Sequence, residues 1–193
     1  RRIGAASHEV RGARFARRSV DARKRPVRLP VQVDLVVPSG FRSRALQREE
    51  RSGRVRPAPL AGTLVPPVAG ARGLHVVVVG TGPAGIFAAL PLALGGARVT
   101  VLERGADLGT RHRRLVPFHR GGTLDPETNL LFGEGGAGTY SDGKLYTRVD
   151  HPLEVPILEE LVAAGAPAEI LFDARAHVGT DRLHTVLPAL RRR

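Results

Sequence analysis

Residues 74–104 read LHVVVVGTGPAGIFAALPLALGGARVTVLER, which parses as strand, glycine turn, helix, second strand and a terminal acid. Val76–Val79 is a β-branched run, long enough for a buried parallel strand and too short to cross a bilayer. Gly80, Gly82 and Gly85 then give G-x-G-x-x-G, and each glycine has a mechanical task. The first makes a tight turn, the second admits a pyrophosphate close to the backbone, and the third lets helix and strand pack closely. Pro83 takes the first helical position, where its missing N–H costs nothing. Glu103 follows Gly85 by 18 residues, placed to accept hydrogen bonds from a ribose diol. The strand before, the helix after and the acid at that distance predict a dinucleotide site. The plainer alternative is a βαβ unit with a glycine-rich turn.

Downstream, a basic turn leads to a short helix expected around Arg111–Val116. Residues 117–152 are glycine-rich and irregular, and contain FGEGGAGTYSDGKLYTR from Phe132 to Arg148. Gly133, Gly135, Gly136 and Gly138 allow successive backbone N–H groups to turn towards one anion or carbonyl. Thr139, Ser141 and Lys144 add hydroxyls and a cation. The alternative is a flexible surface loop. A helix is expected over Leu153–Ala164, with Leu158, Leu161 and Val162 on one face, then a helical turn in Ala168–Asp173. The last helix carries Leu183, Val186, Leu187 and Leu190, with Thr180 or Asp181 as its cap. Pro91 and Pro188 fall inside helical patterns and predict kinks or ends there.

Upstream, Ala13–Arg23 can form a strand, followed by the turn Lys24-Arg25-Pro26. Val27, Leu29, Val31, Val33, Leu35 and Val37 then alternate with polar residues, which predicts a half-buried strand antiparallel to the first. Pro30 moves it to an edge or delays its start. A short helix over 43–50 and a proline- and glycine-rich linker over 51–72 complete this part. The expected organisation is a partial N-terminal α+β module with its linker over 1–72, then the first part of a Rossmann-like domain over 73–193.

Cysteine is absent, which excludes disulfides, thiolate metal sites and redox dithiols, and no other metal spacing is present. With no signal peptide or spanning segment in the sequence, a cytoplasmic protein is expected, with no membrane partner. Methionine is absent too, so the chain is expected to be a fragment lacking its natural start. The formal charge of +12 lies wholly in residues 1–72, while 73–193 balance to zero. Arginine far outnumbers lysine, which fits codon bias and a solvated basic face. A phosphate-binding surface for nucleic acid is the alternative, but no aromatic interleaving or known module supports it.

VVVVGTGPAGIFAAL, VTVLERG, NLLFGEGGAGTYSDGKLYTR and AGAPAEILFDARAHVGTDRL resemble a family of uncharacterised FAD-dependent dehydrogenase-like proteins of the NAD(P)/FAD-dependent oxidoreductase kind. That family has the glutathione-reductase-like flavoprotein fold. RRSVDARKRP and the alternating strand are similar to its small N-terminal α+β module. The resemblance implies an α/β fold: an incomplete doubly wound, Rossmann-like FAD-binding domain preceded by a remnant of that module. It implies FAD, with Gly80, Gly82, Pro83, Ala84 and Gly85 at the pyrophosphate and Glu103 at the adenosine ribose. Arg104 and Arg111 would approach the adenosine or the pyrophosphate, with solvated basic residues as the alternative. Gly136, Ala137, Gly138, Thr139 and Ser141 would cover the ribityl chain or the isoalloxazine. Related disulfide reductases carry a redox cysteine pair in this loop. Thr139, Tyr140 and Ser141 stand here instead, so the flavin itself would exchange electrons with a small-molecule substrate or donor.

His177 is a candidate proton donor, against a structural role beside Thr180 and Asp181. The sequence assigns no catalytic residue. The implied function is that of an N-terminal fragment of an FAD-dependent oxidoreductase, since the remaining strands, a substrate domain and a segment closing over the flavin are not in the sequence. The alternatives are a truncated, non-catalytic dinucleotide-binding chain and an NAD(P)-binding Rossmann protein.

Overall fold

A computed structural model describes residues 2–58, 64–145 and 151–193. The chain divides into two compact units, Arg1–Ala61 with Leu171–Ala174, and Gly62–Ile170 with Arg175–Arg193. The expected linker includes 59–63, and the long glycine-rich stretch includes 146–150; both segments lie outside the described residues.

In the first unit, β1 (Gly12–Arg18) and β2 (Val31–Val36) pair antiparallel, with a bulge between Phe15 and Arg17. Arg14 Nε donates to Asp34 Oδ2 across the pair at 3.0 Å. Arg18 forks onto both oxygens of Asp173 at 2.7 and 3.0 Å, and Phe15 packs on Phe172 with ring centroids 5.7 Å apart. Ser43 caps α1 (Arg44–Arg51), its hydroxyl accepting from the Leu46 N–H at 2.9 Å. The alternating pattern makes a strand, but not a half-buried one. Val31, Val33 and Leu35 are 40–45% exposed, because alternation selects a face while a two-stranded ribbon has no second layer to cover it.

The second unit is mixed α/β. β3 (His75–Val79) and β4 (Arg98–Leu102) run parallel, joined by α2 (Pro83–Leu94), with Val76 opposite Val99 and Val78 opposite Val101. α3 (Leu108–His119) follows, then a glycine-rich segment and β5 (Lys144–Leu145). α4 (Glu154–Ala163), β6 (Ala176–His177) and α5 (Thr180–Arg192) complete it, with β5 and β6 antiparallel. The core lies where α4 and α5 meet α2: Leu161, Ile170, Leu183, Val186 and Leu190 are buried, with Ile86 and Phe87 packed against them. β3 is buried on one face only, unlike the fully buried strand expected. Val76 and Val78 are half-buried, while Val77 is 54% and Val79 83% exposed, since α2 covers a single side of the pair.

Helix ends explain the other departures. Asp107 starts α3 three residues before the expected helix, its carboxylate accepting from the N–H groups of Gly109 and Thr110. Neither Thr180 nor Asp181 caps α5; Gly179 takes that place with φ +86° and no side-chain bond. Both α2 and α5 run through their prolines to Leu94 and Arg192. The segment before β3 is packed as well: Val65 and Ala71 are buried, and the Val65 N–H donates to the buried Glu160 carboxylate at 3.1 Å. Arg193 pairs with the other oxygen of Glu160. Among the described residues no helix is long and apolar enough to cross a membrane.

Candidate functional site

The strand β3 ends at Val79, and the turn begins with Gly80 at φ +97°, a conformation that favours glycine. Its N–H donates to the Leu102 carbonyl at 2.6 Å, tying the turn to the end of β4. The three glycines do different things. A Cβ built on Gly85 would drive into the Gly80 carbonyl, so the third glycine is demanded by packing of α2 on the turn. A Cβ on Gly82 would meet nothing within 4 Å, so the second glycine faces open space. Gly82 also stands at the N-cap of α2 without a side-chain bond, followed by the exposed Pro83 and Ala84. A helix N-terminus with room above it is suited to an anion.

Glu103 closes the turn from the second strand. Its Oε2 accepts from the Thr81 N–H at 2.8 Å and the Thr81 hydroxyl at 2.6 Å, and its Oε1 from the Gly105 N–H at 2.8 Å. Partial burial raises the carboxyl pKa, but the hydrogen bonds from the Thr81 hydroxyl and from the N–H groups of Gly105, Thr81 and Arg104 together lower it below the ordinary value. Two carboxylate oxygens offer about four lone-pair positions. The three bonds from Thr81 and Gly105 therefore leave about one position, room for a single ribose hydroxyl.

The second glycine stretch is organised by Arg111, which is fully buried in α3. Its Nε donates to the Asn129 carbonyl at 2.9 Å. One terminal nitrogen reaches the carbonyls of Glu134 and Gly136 at 2.8 Å each and Gly133 at 3.4 Å, and the other reaches Leu130 at 3.0 Å. Burial pushes the guanidinium pKa down, opposed by Tyr140 and Glu103, and its centre lies 4.7 Å from the centroid of the Tyr140 ring. Glu134 works beside it: its Oε2 accepts from the Leu108 N–H at 2.8 Å and from Arg191 at 3.0 Å. Asn129 turns the approach, its Oδ1 accepting from the N–H groups of Leu131 and Phe132. The loop is then pinned to the first turn, because the Gly135 N–H donates to the Thr81 carbonyl at 3.0 Å. Gly136, at φ +67°, lies against Gly82 and Pro83, so that a Cβ there would stand 3.6 Å from the Gly82 Cα.

The structure thus gathers Gly80, Gly82, Pro83, Gly85, Glu103 and Gly136 around one turn. Arg111 spends its donors on protein carbonyls behind the loop. Arg104 points elsewhere, its guanidinium 3.9 Å from the centroid of the Phe132 ring and paired with Glu127 at 3.1 Å. Ala137 and Gly138 are exposed in a 3-10 turn, with Ser141 exposed after it. Thr139 is buried, with its hydroxyl unpartnered among the described residues. His177 is exposed in β6. Thr81, Asn129 and Glu134 were not singled out by the sequence. Thr81 is legible in retrospect as a hydroxyl inside the G-x-G turn, and Asp125-Pro126 is a turn signal before Asn129.

Residues 73–140 match the model of a family described as an FAD binding domain, and FAD is the cofactor that this match assigns to the stretch. The match begins just before β3 and ends inside the Gly136–Ser141 loop, so it spans both glycine stretches. An uncharacterized protein of Clostridium beijerinckii is 53% identical to this chain over 116 residues, or 60% of the chain and 22% of that protein. The chain therefore spans about a fifth of the length of the curated relative it matches.

Proposed function

We propose that the chain is the nucleotide-binding part of an FAD-dependent oxidoreductase, with a doubly wound, Rossmann-like arrangement begun by β3, α2 and β4. The observation that carries this reading is the convergence of two distant glycine stretches on one turn, through the Gly135–Thr81 hydrogen bond and the approach of Gly136 to Gly82. The residues fit the cofactor: open space over Gly82, a helix N-terminus without a side-chain cap and a carboxylate with about one lone pair left for a ribose hydroxyl. Gly80, Gly82, Pro83, Ala84 and Gly85 would hold the pyrophosphate, and Glu103 the adenosine ribose. Gly136, Ala137 and Gly138 would lie along the remainder of FAD. Arg111 would act by shaping the loop rather than by contact. Bound FAD supplies electron transfer, and with no cysteine in the chain a disulfide relay is not available to it. A small-molecule substrate or donor and a cytoplasmic setting belong to this reading of the whole protein.

The test is a paired titration of the chain with FAD and with NAD, followed by flavin absorbance and by thermal melting. Ligand binding to the folded state raises stability by about 2.7 kcal/mol at a hundredfold excess over Kd. FAD is expected to raise the melting temperature and NAD to have little effect. The reverse order would overturn the FAD reading in favour of a nicotinamide nucleotide.

A further inference from the structure

A separate cleft of about 460 Å³ runs between the start of α3 and one face of α5, lined chiefly by Leu108, His112, Arg113, His184, Pro188 and Arg191. None of its lining residues belongs to either glycine stretch, although Leu108 and Arg191 are bonded to Glu134 of the second. Its size is within the range of small-molecule sites.

The walls carry two cations against one carboxylate. Arg113 and Arg191 bring two guanidinium groups, bonded to Thr110 and Glu134 respectively. A guanidinium has five N–H donors, so each retains donors for a ligand. The one lining carboxylate, Asp107, is committed to capping α3 through Gly109 and Thr110. The rings of His112 and His184, which line the cleft, and of Tyr140, which does not, form a cluster with centroids 5.4–6.5 Å apart. Two polar atoms of that cluster, His184 Nε2 and the Tyr140 hydroxyl, are buried with no hydrogen-bond partner among the described residues. Orphaned buried polar atoms are rare in folded proteins and each calls for an explanation. Burial and the neighbouring His112 hold the His184 pKa below its ordinary value, with Asp181 opposing them. The balance favours a neutral ring able to donate one N–H. Leu108 and Pro188 supply apolar wall.

We propose that this cleft binds a small organic carboxylate, its oxyanion held by Arg113 and Arg191, its apolar body lying on Leu108 and Pro188, and His184 turning its buried Nε2 towards the ligand.

The experiment uses the whole 193-residue chain without added FAD. Benzoate, and separately inorganic phosphate, are titrated in chloride buffer while the imidazole signals of His112 and His184 are followed by NMR and the heat by calorimetry. Benzoate is expected to shift both rings saturably. Arg113→Gln, an exposed substitution away from the core, is expected to raise the benzoate Kd at least tenfold, because a hydrogen-bonded ion pair is lost. His184→Phe, which keeps a ring and removes Nε2, is expected to raise it as well. If His184→Phe fails to fold, Arg113→Gln alone decides. Absence of a saturable benzoate response, an Arg113→Gln protein that binds benzoate as the wild type does, or a response to phosphate alone would each overturn the proposal.

Discussion

Replacing Arg111 with Met keeps a long apolar stem and removes every donor of the fork. The carbonyls of Asn129 and Glu134 lose bonds of 2.9 and 2.8 Å that are fully buried, while those of Leu130 and Gly136 are half-buried and can turn to water. An unsatisfied buried carbonyl costs about 1–3 kcal/mol, so two of them cost about 2–6. Removing the burial cost of the cation works in the opposite direction. The net expectation is a loss of about 3–4 kcal/mol. In a urea titration followed by far-UV circular dichroism, that is a fall of roughly 2 M in midpoint with an unchanged slope, at about 2 kcal/mol per molar urea. Arg111→Lys discriminates further. A lysine carries three donors on one point and cannot span carbonyls drawn from Asn129 to Gly136, so it should recover less than half of the loss. A Met variant with the wild-type midpoint would show that Arg111 does not organise the loop.

Gly82→Ala and Gly85→Ala should separate binding from folding: the first should change stability by less than about 0.5 kcal/mol yet abolish FAD binding, since its methyl enters the open space. The second should destabilise by about 1–3 kcal/mol through collision with the Gly80 carbonyl, read by thermal melting. Glu103 has a lowered folded-state pKa, so its contribution is present above the unfolded value near about 4.3 and is lost as pH falls through the folded value. Glu103→Gln should therefore flatten the fall in stability below about pH 4.3, and an unchanged acid limb would contradict the clamp on Thr81. Ser43→Ala removes the cap of α1 and should cost about 1 kcal/mol in the first unit, seen as lost amide protection at Leu46 by hydrogen exchange.

What the sequence revealed is what local chemistry controls. The order strand, glycine turn, helix, strand is written in residues 74–104, because glycine freedom, the proline at the first helical position and β-branched runs act on near neighbours. The alternation in β2 and the apolar face of α5 are legible for the same reason. Burial is less so. Val77 and Val79 look like core and are exposed, and Arg111, which reads as a phosphate or adenosine ligand or else a solvated basic residue, is fully buried. Nothing within a few residues of Arg111 names the carbonyls it bonds, which come from Asn129 onwards. The full length of α3 is hidden because Asp107 caps it ahead of its apolar positions.

The bond from Gly135 to Thr81 has a kinetic meaning beyond its place in the site. It closes a loop of roughly fifty residues, an entropic cost that must be met before the contact returns anything. The β3–α2–β4 unit can assemble from neighbours in sequence, whereas the joined glycine turns form only once α3 has docked its arginine. The nucleotide cradle should therefore be the last part to order during folding and the first to open. The amides of Gly135 and Gly136 should lose protection from exchange together, ahead of those in β4.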